Sequence, residues 1–332
     1  MTKMPLEFSR PLSWQDELKQ SYKQLDKLLA DLKLNSSAVD FTAQKLPFRT
    51  LITRSFARRM ACGDAQDPLL LQVMPTAQEL IVRPGESADP VGDLAASQAG
   101  GIIHKYAGRI LLVMTGACAI HCRYCFRREF PYGESLVDRR LASLVEQIER
   151  DDSIREVILS GGDPLMLSDD RLSELVARLE NIAHLKTLRI HTRLPVVLPQ
   201  RVDSSLLSWI ARTRLKVVMV IHCNHGNELD GEVASALAAL ADHRVMLLNQ
   251  SVLLKGVNDS SETLAELSWA LFEQGVLPYY LHQLDRARGT GHFEVEQERA
   301  ILIRDELLTI LPGYLVPRLV QELPGRPSKV PL

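Results

Sequence analysis

The sequence predicts an α/β fold of about six β/α units, arranged as a barrel or partial barrel behind an N-terminal helical extension. Two patterns carry this expectation. From Arg109 onward, the apolar runs "RILLVM", "REVILS", "TLRIHT", "LKVVMVIHC", "RVMLLNQ" and "VLPYYLH" are each followed by a helix-like amphipathic stretch, the alternation expected of β/α units. Near-continuous Val, Ile and Leu runs joined by helical crossovers imply a parallel sheet covered by helices. Consecutive units without a break favour a barrel, with an open flavodoxin-like sheet as the alternative. The second pattern is chemical. The runs end in cysteines and then in "SGGD", "HTR", "HCNH", "NQS" and "HQLD", and the loops at the C-terminal face are where such barrels keep their active sites.

Ahead of the barrel, Leu18, Leu25, Leu28, Leu29 and Leu32 recur at helical spacing, which predicts one amphipathic helix across residues 14–34. The stretch "RPGESADPVGDLAASQAGG" at residues 83–101 is rich in Gly, Pro, Asp and Ser and reads as a loop or linker. The expected division is an extension with its linker over residues 1–100, a barrel core over 101–312 and a C-terminal segment over 313–332.

Composition narrows the function class. A chain of 332 residues buries a sizeable core. A formal charge of -2 provides no global positive field, so nucleic acid is not an expected partner. The opening "MTKMPLEFSR" lacks the apolar core of a signal peptide, and no run approaches the roughly 20 apolar residues of a membrane span. The expected location is therefore cytoplasmic, with no membrane partner. In that reducing compartment five cysteines, three of them crowded together, point to metal or redox chemistry rather than to disulfides.

The three are Cys118, Cys122 and Cys125, spaced C-x3-C-x2-C within "CAIHCRYCFRR". This spacing lets a short loop wrap one side of a metal centre, and thiolates suit iron-sulfur clusters and zinc. A structural zinc site would use Cys118, His121, Cys122 and Cys125, although such sites usually pair ligands from two separate knuckles. The functional alternative is a 4Fe-4S cluster held by three thiolates, with one iron left open for a small molecule. Cys223 ends a strand and is a conceivable fourth ligand, but Cys223 and Cys62 are both expected to be buried or free thiols.

A C-x3-C-x2-C loop after the first barrel strand resembles that of the radical S-adenosylmethionine (SAM) enzymes, in which the open iron chelates the amino and carboxylate groups of SAM. The resemblance implies a partial TIM-like (β/α)6 barrel of the radical SAM type. "SGGDP" resembles the superfamily's glycine-rich SAM-contacting segment, which makes Ser160, Gly161, Gly162 and Asp163 candidate contacts. There the absent glycine side chains would let backbone amides approach the ligand. Tyr124, inside the cysteine loop, is a candidate for stacking on the adenine, with a plain core aromatic as the alternative.

Within that superfamily, "CRYCFRR", "DPLLLQVMP", "HTRLPVVLPQR" and "NQSVLLKGVND" resemble the lysine 2,3-aminomutase family, and the resemblance extends from about residue 14 to the last residue. It implies pyridoxal phosphate (PLP) as a further cofactor and gives Arg127 the substrate carboxylate, a task suited to a guanidinium fork. Lys329 in "ELPGRPSK" falls on the lysine that joins PLP as a Schiff base, in a loop with fewer glycines than the family pattern. Asp285 in "HQLDRARGTGHF" matches the first of two acids that face the substrate ε-ammonium, and Glu322 stands where the family has an aspartate. A desolvated ammonium requires such partners. Lys105 and Arg109 in "HKYAGR" stand where the aminomutases carry arginines and are candidates for the PLP phosphate. Gln250 is a candidate for another cofactor contact.

The sequence is most similar to the short bacterial branch of that family, which lacks the longer C-terminal region with zinc-binding cysteines. The implied activity is conversion of L-lysine to (R)-β-lysine by 2,3-amino migration, for attachment to elongation factor P by a separate lysyl ligase. A flavodoxin- or ferredoxin-type protein is the implied electron donor. The alternatives are a radical SAM enzyme without PLP, of the activase or methylthiotransferase kind, and a non-enzymatic zinc-binding protein.

Overall fold

In the computed structural model, which describes residues 13–35, 48–98, 101–134 and 141–332, seven strands run parallel in chain order. β1 (Ser97–Gln98) and β2 (Ile102–Tyr106) lead antiparallel into β3 (Arg109–Thr115). β4 (Glu156–Gly161), β5 (Thr187–Thr192), β6 (Lys216–His222), β7 (Met246–Val252), β8 (Leu277–His282) and β9 (Arg318–Gln321) then add in parallel, each beside its predecessor. β10 (Val330–Pro331) returns antiparallel on β9. The described end strands do not pair with each other, so the barrel is open. The six expected runs are β3 to β8. A seventh parallel strand, β9, has no helix after it and leaves the six β/α units as they are: "RLVQ" is too short to announce itself by periodicity and is put in register by packing, Leu319 joining Leu281, Ile303 and Leu307 in one buried cluster.

The N-terminal helix expected over residues 14–34 is two helices, α1 (Trp14–Lys19) and α2 (Leu25–Asp31). The break has a cause. Tyr22 exchanges both backbone hydrogen bonds with Ile52, at 2.7 and 3.0 Å, and this bridge pulls the chain out of helical geometry while Leu18 and Leu25 stay on one apolar face. α3 (Arg54–Ala57) and α4 (Pro68–Leu71) follow. Leu28, Leu32 and Phe56 are fully buried in the same apolar cluster as Leu112, Leu159 and Ile190 of the sheet, so the extension shares the barrel's core.

The crossovers are α5 (Leu141–Arg150), α6 (Asp169–Leu179), the short α7 (Leu194–Val197) with α8 (Ser204–Arg212), α9 (Gly231–Asp242), α10 (Ser261–Glu273) and α11 (Gln297–Ile310). Three of them start where the side chains of Asp203, Asp230 and Ser260 accept from the amides of Leu206, Val233 and Thr263, each N-cap satisfying a donor that the first turn leaves free. None of the described helices is long and apolar enough to cross a membrane.

Strand period two decides what reaches the interior. On β5, Leu188 and Ile190 are buried in the core, while Arg189 and His191 take the opposite face and line a central cavity at the C-terminal end of the barrel.

Candidate active site

Cys118, Cys122 and Cys125 line one cavity of about 570 Å³, and the loop that carries them is fixed from two sides. On one side Glu79 accepts from Arg123 and, at 2.5 Å, from Arg128, both flanking the cysteines. The backbone adds Arg123 N to Gln72 O at 2.8 Å and His121 N to Leu51 O at 2.9 Å. On the other side Gly162 N donates to Thr115 O at 2.6 Å and Asp163 N to Ala117 O at 2.8 Å. Gly161 lies at φ +123°, where a Cβ would sit 2.5 Å from Thr115 O, and a Cβ on Gly162 would collide with Ala117 O. The glycine pair was expected to admit a ligand. The room it leaves is filled by the cysteine loop's own backbone, and the amides of Gly162 and Asp163 are already committed.

Burial pushes the thiols of Cys118 and Cys125 up, Cys125 to about 11, so they remain protonated until a metal supplies positive charge. Cys223 is buried with its Sγ against His225 O, and neither it nor Cys62 lines the cavity. A three-thiolate cluster with one open iron fits this donor set. The fourth ligand of the zinc alternative is engaged elsewhere through one ring nitrogen, His121 Nδ1 lying 2.9 Å from Arg49 O.

Arg193, the residue after β5, donates from Nη1 to Cys122 Sγ at 2.7 Å. Its Nη2 is held by Gln72 at 2.7 Å and by the buried Glu228 at 2.9 Å. Asp163, expected at SAM, spends its carboxylate on Thr192 Oγ1, Arg193 N and Leu165 N, tying β4 to β5, and burial pushes it up to about 6. Tyr124 lines the cavity, but its ring is stacked on His222 and its hydroxyl lies 2.8 Å from His222 Nε2 and accepts from Asn224. In this arrangement the phenol anchors the loop to β6.

A second group is a chain of alternating charges along the cavity wall. Arg127 donates from Nε to Asp93 at 2.7 Å and from Nη1 to Ser160 Oγ at 3.0 Å. The other Asp93 oxygen takes Lys105 at 2.6 Å, Lys105 reaches Glu322 at 2.9 Å, and the second Glu322 oxygen takes Lys329. The two lysines hold Glu322 well below the usual carboxylate range despite its burial. Lys329, which in sequence looks like part of a solvated tail, is turned inward because β10 pairs Val330 with Gln321. Asp285 lines the same cavity, yet its carboxylate makes no hydrogen bond or ion pair among the described residues. Burial and the nearby Glu322 push it up to about 7. Arg109, over the ring of Tyr106 at 4.8 Å, and Gln250 also line the cavity.

Every expected site residue therefore meets at one cavity or on its wall. Sequence reasoning missed Asp93, which sits in the linker-like "DPVGDL" and carries no periodic or motif signal. It also missed the Gln72, Arg193 and Glu228 group, whose members are far apart in the chain. For PLP the residues present fit: an inward lysine, two cationic side chains and a buried acid share one enclosed wall.

The Radical SAM superfamily model matches residues 112–207. The chain is similar to an L-lysine 2,3-aminomutase from Escherichia coli (strain K12), 48% identical over 292 residues that cover 88% of this chain and 85% of that protein. It is also similar to the L-lysine 2,3-aminomutase of Haemophilus influenzae, 44% identical over 320 residues covering 96% of this chain and 94% of that one. The enzyme of that name from Clostridium subterminale is 34% identical over 322 residues, 96% of this chain and 77% of that protein.

Proposed function

The chain belongs to the L-lysine 2,3-aminomutase family, an isomerase family with a radical SAM domain, and from that premise we propose that it converts L-α-lysine to (R)-β-lysine, using a 4Fe-4S cluster, SAM and PLP. The observation that carries this reading is one cavity lined at once by the three cysteines, Arg127, Asp285, Glu322 and Lys329. When bound, the cluster with SAM supplies a 5′-deoxyadenosyl radical and PLP supplies a π-system that delocalises the unpaired electron.

The protein's own part is binding, orientation and exclusion of water. Cys118, Cys122 and Cys125 hold the metal. Arg127 has Nε and Nη1 committed to Asp93 and Ser160, which fixes the guanidinium plane, and its Nη2 faces the substrate carboxylate. Asp285, uncommitted and half-buried, takes the substrate ε-ammonium, whose charge draws the carboxyl back to its ionised form. Lys329 is the residue that would hold PLP through its aldehyde, and Lys105 with Arg109 would hold its phosphate. We assign the β-lysine product to the modification of elongation factor P in the cytoplasm, with electrons from a flavodoxin- or ferredoxin-type donor.

Anaerobic incubation of the reconstituted protein with SAM, PLP, reductant and labelled L-lysine tests the reaction. Chromatographic appearance of β-lysine is the expected result. SAM cleavage without β-lysine overturns the reading in favour of another radical SAM activity.

A further inference from the structure

Glu322 is the one acid of the cavity wall whose two oxygens are both taken by lysines, Lys105 at 2.9 Å on one and Lys329 on the other. In the proposed function, on which this inference rests, both lysines are cofactor ligands and Glu322 is a substrate ligand. The same carboxylate therefore contacts both of the groups that PLP would take. Asp285, on the same cavity, is left without such a partner.

We infer that Glu322 is an exchangeable latch: it holds Lys105 and Lys329 until PLP displaces it from both, and only then does it become a second acid for the substrate's distal ammonium. The chemistry requires the exchange. Lys329 must first lose the ammonium proton to solvent. Its neutral amine then adds to the aldehyde carbon, a C=N bond forms, and the aldehyde oxygen leaves as water with the amine's two protons. The ion pair with Glu322 holds the nitrogen that must reach the aldehyde carbon, so that contact has to break first. The phosphate, a dianion, competes with Glu322 for Lys105 and is repelled by it. Asp93 keeps its hold on Lys105 at 2.6 Å throughout, so the lysine is steered and not released. Once uncovered, Glu322 adds negative charge beside Asp285, and the pair suits a cation that Asp285 alone would hold less tightly. Cofactor and substrate then bind with positive coupling, and that coupling is reciprocal.

The test is the sign of two opposite effects in Glu322→Gln. PLP affinity of the reconstituted protein, read by equilibrium titration of PLP absorbance, is expected to tighten several-fold, while the KM for L-lysine rises at least tenfold. Pyridoxine 5′-phosphate, which has the phosphate and no aldehyde, isolates the Lys105 arm and is expected to tighten as well. A merely structural residue would weaken both ligands together. PLP binding that is unchanged or weaker in Glu322→Gln overturns the latch. PLP binding that is absent from the parent, or indifferent to Lys329→Ala, instead overturns the underlying assignment of the cofactor site. Glu322→Asp, shorter by one methylene but still anionic, keeps the protein folded and is expected to lie between parent and Gln variant for both ligands.

Discussion

Arg193 donates to the Sγ of Cys122 at 2.7 Å from a guanidinium anchored behind by Glu228 at 2.9 Å. A fixed cation beside a cluster thiolate favours the state with one more electron, because added negative charge meets a pre-oriented positive partner in a buried setting. Arg193→Gln is therefore expected to lower the reduction potential of the reconstituted cluster. An effect of one factor of ten in the reduction equilibrium corresponds to about 59 mV for one electron. Arg193→Lys should keep most of the parent value. Because Arg193→Gln strands a buried carboxylate, the double variant with Glu228→Gln is the cleaner measurement. An unchanged potential at full iron content would leave Arg193 with a packing role only.

The cysteines themselves divide three to two. Cys118→Ala, Cys122→Ala and Cys125→Ala are each expected to abolish the cluster and all SAM cleavage. Cys62→Ala, outside the cavity, should retain both. Iron and sulfide analysis with absorbance of the anaerobic protein decides the matter, and retention of the cluster in any of the three variants contradicts the assignment.

Asp285 gives a prediction about substrate reading. Removing one partner of a buried ion pair costs about 3 to 5 kcal/mol, so Asp285→Asn should reduce kcat/KM for lysine by roughly a hundred- to several-thousand-fold. The cluster spectrum should not change. The preference for lysine over norleucine should narrow, since the neutral side chain never used the carboxylate. Near-parental turnover of lysine by this variant would show that Asp285 does not hold the ammonium.

The same residue predicts a pH dependence of stability in the cofactor-free protein. Its carboxyl is raised in the fold from 3.8 to about 7, so between those values the folded chain keeps a proton that the unfolded chain has lost. Stability then falls as pH rises across this window. The benefit is fully present below pH about 4 and is gone above about 7. Asn at this position does not titrate, so the Tm of Asp285→Asn should gain on the parent between pH 4 and pH 7. Parallel Tm curves for the two proteins would show that the residue is not raised in the fold.

Gly162→Ala tests the seat of the cysteine loop. The new Cβ meets the Ala117 carbonyl oxygen, and either the loop shifts or the backbone strains. A cost of about 1 to 3 kcal/mol is expected, typical of forcing extra atoms into a packed site, together with weaker iron retention. Denaturant titration and iron content measure the two, and parental values for both would show that the loop has slack at this point.

The parts of this protein legible in its sequence were those encoded over short range. β3 to β8 were visible because apolar runs and the amphipathic stretches between them are local, and the cysteine loop because its spacing is. What escaped depends on contacts between distant segments. The break between α1 and α2 is made by Ile52, β9 by packing against α11, and the Arg127 and Lys105 orientation by Asp93 in a stretch that composition alone assigns to a linker. The glycine pair lines the cavity, and its missing side chains also make room for Thr115 and Ala117, a packing role that the local pattern does not show.

The sequential sheet order has a kinetic side. Every strand pairs with its neighbour in the chain, so the barrel can zip from one crossover to the next with modest loop-closure entropy at each step. The contact between Lys105 and Glu322 spans 217 positions and requires the last strands to have arrived. The cavity wall that holds this pair is thus a seam that closes only once β9 is in place, and β9 and β10 should exchange their amide hydrogens faster than β4 to β6. Binding PLP at that seam should slow their exchange selectively, which makes the cofactor a late fastener of the fold as well as a reagent.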